Sequence, residues 1–187
     1  MLQFPKRYAD AVARLRVPSG FLIVIVFAWL SHPSVASLAW GFPIALAGLA
    51  LRAWAAGCLA KNRELSTGGP YAYTRNPLYL GTLLVAAGLV VASRNPLLGA
   101  LFAAVFLLIY LPVIQLEQQH LRQLFPEYAA YAARVPALWP RLTPSRQENS
   151  HPFRVSLYLR NKEYQAGTGF VAGMLFLLWK IVLSHQP

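Results

Sequence analysis

Acidic residues are scarce: six Asp and Glu stand against seventeen Lys and Arg in a chain of 187 residues. Carboxylate-rich metal centres are therefore not expected. The Glu117-x-x-His120 pattern has the spacing of half a di-iron site, but no second copy exists to complete it. Cysteine is scarcer still. The single Cys58 excludes an internal disulfide, and its place in an apolar run marks it as a packing residue rather than a nucleophile. Charged residues make up only 12% of the chain and hydrophobic ones 57%, which excludes an ordinary soluble domain and fits one membrane domain. The Gly-rich fingerprint of a soluble dinucleotide-binding unit is missing as well. A net charge of +11 could suggest nucleic acid. The basic residues, however, flank apolar runs instead of gathering on one soluble face, so nucleic acid is not expected and anionic membrane lipids are. No small-residue cleavage site follows Leu30, so the first apolar segment is expected to be retained.

What is present is a series of apolar segments with short polar breaks. Residues 1–16 carry Lys6, Arg7, Arg14 and Arg16 among Leu2, Phe4, Tyr8, Val12 and Leu15, which predicts a short helix on the membrane surface. Five transmembrane helices are expected, at 17–31, 38–59, 78–93, 97–116 and 166–185, giving an all-α integral membrane protein. The whole chain, 1–187, is taken as a single membrane domain. After the surface helix, 17–60 holds spans one and two, 61–140 a motif region with spans three and four, and 141–187 a linker and span five. Only Arg94-Asn95-Pro96 separates spans three and four, which must therefore form a tight antiparallel hairpin. Gly81 and Gly88 are expected to pack against Gly99, Ala100, Ala103 and Ala104 within it, and Gly169 and Gly173 to pack span five on a neighbour. Pro112 predicts a kink. Arg52 and Lys180, near the ends of their spans, are expected to snorkel to the head groups, with Arg52 facing a site as the alternative.

Beyond Glu117 the residues Leu121, Leu124, Phe125, Tyr128, Tyr131 and Val135 fall near helical spacing, which predicts an amphipathic segment folding back over the membrane face from which it emerges. Pro136 and Pro140 end it, and 143–152, TPSRQENSHP, has the composition of a mobile linker. Among the loops between spans, those on one side hold only Arg94, so the positive-inside bias puts the N-terminus, the loop before span three and the Glu117 segment in the cytosol.

The densest stretch of the sequence is 68–81, GGPYAYTRNPLYLG. Gly68 and Gly69 permit φ > 0 and close approach of a ligand to the main chain, while Pro70 and Pro77 fix φ and remove two donors. Asn76 is pushed toward extended backbone by the proline after it, and Pro77 suits the first turn of the following helix. Non-helical backbone at membrane depth must be buried in protein or line a cavity, so a rigid turn bearing Tyr71, Tyr79 and Arg75 is a candidate ligand site; an ordinary inter-helix loop with interfacial tyrosines has the same composition. The hairpin places Glu117 at the same face, and the two can line one pocket.

The pattern GPYxxxRNPxYxG, here Gly69, Pro70, Tyr71, Arg75, Asn76, Pro77, Tyr79 and Gly81, followed by ExxxLxxxFxxYxxYxxxVP from Glu117 to Pro136, resembles the isoprenylcysteine carboxyl methyltransferase family, relatives of the phospholipid N-methyltransferases. The resemblance covers about 61–140. It implies S-adenosylmethionine held in a cytosolic pocket by Arg63, Leu65, Ser66, Tyr71, Asn76, Pro77, Leu78, Tyr79 and Glu117. It implies methyl transfer with Arg75 and Glu117 as the catalytic residues, although Arg75 can equally serve to structure the loop, with no metal and a lipophilic acceptor that enters from the bilayer. Asn76 stands where many members have His and matches bacterial-type members, which implies a bacterial inner-membrane protein. Gln118 replaces the second acid of the usual Glu-Glu pair, and Val113 replaces an Arg that binds the prenylcysteine carboxylate in eukaryotic members. An acceptor lacking that carboxylate is therefore expected. The alternatives are an NADPH-dependent membrane reductase of the sterol type and a non-enzymatic membrane protein such as a transporter subunit.

Overall fold

A computed structural model describes residues 4–145 and 152–184. Most of the linker expected at 143–152 lies outside the described residues. The chain is all-helical, with no strand among the described residues: α1 (Lys6–Leu30), α2 (Val35–Gly57), a 3-10 turn (Gly69–Ala72), α3 (Pro77–Ser93), α4 (Pro96–Val105), a π-helical turn (Phe106–Tyr110), α5 (Leu111–Leu124), α6 (Tyr128–Arg134), α7 (Val155–Arg160) and α8 (Tyr164–Ser184). Among the described residues, three helices are long and apolar enough to cross a membrane, α2, the continuous helix Pro96–Leu124 and α8, and the bent α1 makes a fourth if its two arms are one span. The surface helix expected at the N-terminus is not a separate element. It is the first arm of α1, set at 50° to the second arm, Pro18–Leu30. Pro18 supplies the cause, because it lacks the N–H that would continue the ladder and its ring crowds the preceding turn. Helix α3 has 17 residues, about 25 Å, shorter than a hydrocarbon core of about 30 Å.

The tightest helix contact is α2 on α3, not α3 on α4. Gly41 faces Gly88 and Gly48 faces Gly81, each pair of glycines lying seven residues apart along its helix (41 to 48, 81 to 88). A Cβ added to Gly48 would stand 2.6 Å from the Gly81 carbonyl oxygen, and one added to Gly81 would stand 2.8 Å from that of Gly48. Two antiparallel backbones thus touch directly over two turns, the approach that only glycine allows. Gly99, by contrast, meets nothing closer than the Val90 side chain at 3.3 Å. The expected pairing of the α3 glycines with the fourth span is corrected accordingly.

Pro112 does not simply bend its helix. In an α-helix its missing N–H would have served the carbonyl of Leu108, and here the Tyr8 hydroxyl of α1 donates to that carbonyl at 2.8 Å. The π turn ends beside it, with the Leu111 N–H reaching back to Phe106. Phe4 and Gln115 complete the docking of the first α1 arm by exchanging two hydrogen bonds of 2.8 and 3.1 Å.

At the end where α1 stops and α2 begins, Phe27, Leu38, Ala45, Ala92 and Leu98 pack with Phe170, Met174, Leu177 and Ile181 of α8. Lys180 does not snorkel. Its ammonium donates to the carbonyls of Ala28 and Ser31 at 2.8 and 2.6 Å, capping the C-terminus of α1, where a cation also suits the helix dipole. Arg52 does not snorkel either. It pairs with Glu163 through Nε and Nη2 at 2.6 and 3.1 Å and donates from Nη1 to Thr82 and to the Leu78 carbonyl, tying α2, α3 and the start of α8 together.

Candidate active site

The loop between α2 and α3 is laced to the segment that follows α6. The N–H groups of Arg75, Arg141 and Ser145 run to the carbonyls of Pro136, Tyr73 and Ala72 at 2.9 to 3.0 Å. Thr74, almost fully buried, donates its hydroxyl to the Leu138 carbonyl at 3.1 Å, and the Asn76 amide donates to that of Ala137 at 2.6 Å. Pro77 then opens α3 with its ring at the first helical position, as its fixed φ favours. Gly69 has φ +56, and a Cβ there would stand 2.9 Å from the Cys58 sulfur, so this glycine is demanded both by conformation and by space. Cys58 packs in an apolar cluster with Ala55 and Tyr71.

The amphipathic segment does fold back. Tyr131 of α6 donates its hydroxyl to the Tyr71 carbonyl at 2.8 Å. Tyr128 of the same helix and Gln118 of α5 each take a hydrogen bond of 3.4 Å from Arg75 Nη1. This Arg75–Gln118–Tyr128 cluster is the centre of the site. Burial raises the hydroxyl pKa of Tyr71, Tyr128 and Tyr131; at Tyr71 the neighbouring Tyr131 and Glu117 push the same way, whereas Arg75 opposes the shift at Tyr128. All three are therefore neutral hydroxyls at physiological pH. Glu117 lies near enough to act on two of those tyrosines, is partly buried, and makes no ion pair among the described residues.

Among the described residues, three buried polar atoms have no partner: Arg75 Nε, Gln118 Nε2 and Ser66 Oγ. Gln118 is only 8% exposed, so its amide cannot turn to solvent for relief. An unsatisfied buried donor costs about 1–3 kcal/mol, and two donors left open around one guanidinium suit a ligand that brings acceptor oxygens. On the other side of the loop, Tyr79 packs edge-on against Tyr110, with ring centroids 6.0 Å apart, and beside Phe106 and Ile114. The π-helical turn supplies both Phe106 and Tyr110; such turns are frequent at functional sites.

The residues singled out from the sequence thus fall in different settings. Arg75, Ser66 and Glu117 present partly buried polar groups, and Tyr79 is buried with the π-turn aromatics. Leu65 packs beside Tyr128 and Tyr131, while Leu78 and Tyr71 belong to the Ala55–Cys58 cluster. Asn76 is held by Ala137, Pro77 is buried at the head of α3, and Arg63 is exposed. Gln118, Tyr128 and Thr74 were not singled out as site residues. Gln118 stands in sequence only as a missing acid, and the signal that its amide pairs with Arg75 is carried by the three-dimensional fold alone. Among the described residues no group of three or more His, Cys, Asp and Glu is placed to hold a metal.

Comparison with known proteins supports the resemblance over this part of the chain. Residues 46–128 match the family model for phospholipid methyltransferases. A cobalt-zinc-cadmium resistance protein, CzcN, of Cupriavidus metallidurans is 42% identical over 101 residues, which are 54% of this chain and 47% of that protein. A nickel-cobalt-cadmium resistance protein, NccN, of Alcaligenes xylosoxydans xylosoxydans is 39% identical over 101 residues, with the same shares. The match thus spans about half the length of these curated relatives. No solved structure matches the chain.

Proposed function

From the premise that residues 46–128 carry the phospholipid methyltransferase pattern, we propose that the protein is an integral membrane methyltransferase that uses S-adenosylmethionine and acts on a lipophilic acceptor. The observation that carries this is the Arg75–Gln118–Tyr128 cluster, whose buried donors lack acceptors, set beside a partly buried Glu117 that lacks a cation. An amino-acid moiety with one carboxylate and one ammonium complements that arrangement. Arg75 and Gln118 would hold the carboxylate, and Glu117 would accept hydrogen bonds from amino or ribose groups. The faces of Tyr79 and Tyr110 suit a sulfonium cation.

When bound, the cofactor supplies a methyl group on positively charged sulfur, and its transfer is a direct displacement. This chain's residues would align the donor and acceptor and exclude water. The laced loop supports that role: its backbone groups are spent on residues 136–145, and its buried Tyr71 remains neutral. Val113 is buried without charge, which favours an acceptor lacking a carboxylate at that point, since a buried unpaired carboxylate is costly. With α1 and α3 counted as passes the protein would cross the membrane five times, and the positive-inside bias favours a site at the cytosolic face of a bacterial inner membrane. The names of the two relatives favour a setting in metal resistance, in which this chain would modify a lipid or small apolar thiol or amine.

Titration of detergent-solubilised protein with labelled S-adenosylmethionine tests the proposal. Binding is expected in the wild type, with at least a tenfold loss in Tyr79→Ala. In Glu117→Gln the affinity falls while the shape of the pH–rate curve stays the same. Absence of binding in the folded wild type, or binding of NADPH in its place, would refute it.

A further inference from the structure

Away from this site, the first half of α8 borders a cleft of about 220 Å³. Leu49, Val85 and Leu89 form one wall and Gly169 and Gly173 the other. A Cβ at either glycine would meet nothing within 4 Å, so neither supports a helix contact, and the packing expected of this pair is corrected. The cleft follows α3 for eight residues, Thr82 to Leu89, or about 10 Å. Its middle is apolar, and apolar cavities stay free of water and take up apolar ligands. The three helices around it, α2, α3 and α8, are apolar, and α2 and α8 are long enough to span a membrane, so the medium at its mouth is hydrocarbon.

One end is polar. Arg52 and Thr82 line it, and Arg52 is paired with Glu163. Arg160, the last residue of α7, and Lys162, in the turn before Glu163 and α8, are exposed and make no ion pair among the described residues. The end of the cleft therefore carries uncompensated positive charge. Exposed basic residues near a membrane surface attract anionic lipid.

We propose that this cleft is a lipid site: one acyl chain of an anionic phospholipid lies between α8 and the α2–α3 pair, with its phosphate beside Lys162 and Arg160. Bulk lipid of the bilayer is the occupant, not the methyl acceptor, because neither Tyr79 nor any member of the Arg75–Gln118–Tyr128 cluster lines the cleft. The site does not depend on the methyltransferase reading.

Native mass spectrometry of the full chain released from mild detergent, after incubation with phosphatidylglycerol or phosphatidylcholine vesicles, tests it. The wild type is expected to keep one phosphatidylglycerol and to retain it at least tenfold more than phosphatidylcholine. Gly169→Leu or Gly173→Leu, which fill the cleft, should lower retention tenfold or more, whereas Gly167→Leu, on the same helix but off the cleft, should not. Arg160→Gln with Lys162→Gln should abolish the preference between the two lipids. Phosphatidylglycerol should raise the melting temperature of the wild type and not of the filled variants. Retention that ignores both filled variants, or equal retention of the two lipids by the wild type, would overturn the proposal.

Discussion

Two glycine-bearing helix faces in this protein have opposite fates. On the α2–α3 seam each glycine lies directly on the backbone of the partner helix. On α8, Gly167, Gly169 and Gly173 have nothing within 4 Å of the position a Cβ would take. Helix α8 is held instead near its two ends and by one apolar row: Glu163 binds Arg52, Lys180 caps α1, and Phe170, Met174, Leu177 and Ile181 enter the core. Glycine spacing alone therefore does not identify a packing face. What distinguishes the seam is that both helices carry glycines in the same seven-residue spacing, so that each void is filled by the other's carbonyl.

The largest effect is expected where that seam is broken. Gly48→Leu would drive a side chain into the Gly81 carbonyl and the Val85 N–H, 2.6 and 2.7 Å from the new Cβ, and neither can move without separating the helices. Ordinary overpacking costs about 1–3 kcal/mol because side chains yield. Here the obstacle is backbone, so the cost should exceed that range. Little folded protein should be recovered on size-exclusion chromatography in detergent, and a monodisperse, cooperatively melting Gly48→Leu would show that the seam is looser than its geometry.

A smaller loss is expected from freeing one end of α8. Glu163→Gln leaves the Arg52 guanidinium, 23% exposed, between three helices with only neutral acceptors. Removing one partner of a buried pair costs about 3 kcal/mol, somewhat less at this exposure. Chemical denaturation should report a drop of about 2 kcal/mol, with the Glu163→Gln, Arg52→Met double variant recovering part of it. If the double variant is no better than the single, the penalty is not that of an orphaned charge.

The same contrast explains what the sequence could reveal. The turn at 68–81 is legible because prolines and a φ-positive glycine act locally: Pro70, Pro77 and Gly69 do in the structure what their chemistry requires. The α3–α4 turn is legible for the same reason, with Asn95 capping α4 through its side chain. The seam was not, since Gly41 and Gly48 meet Gly88 and Gly81 from a different helix, and any small-residue face would have been an equal partner for α3. Arg52 and Glu163 are 111 positions apart, and nothing local marks them as a pair. At the site, Arg75 was legible as a charged residue in a rigid turn. Its reliance on Gln118 was not, because an amide replacing an acid reads as loss until the guanidinium is seen beside it.

The smallest effect is expected on the unpacked face of α8. Gly167 lies within α8, borders no neighbour and stands off the cleft. A glycine in a helix interior costs about 0.5–1 kcal/mol relative to alanine, through the backbone freedom it must lose. Gly167→Ala gives up no contact to gain that difference, so it should be neutral or stabilise the protein by about 0.5 kcal/mol, read as a slight rise in melting temperature in detergent. On the seam the same chemical change would meet a carbonyl at under 3 Å. A clear loss of stability in Gly167→Ala would mean that a neighbour covers this face of α8 in the membrane, and the contrast between the two glycine faces would fail.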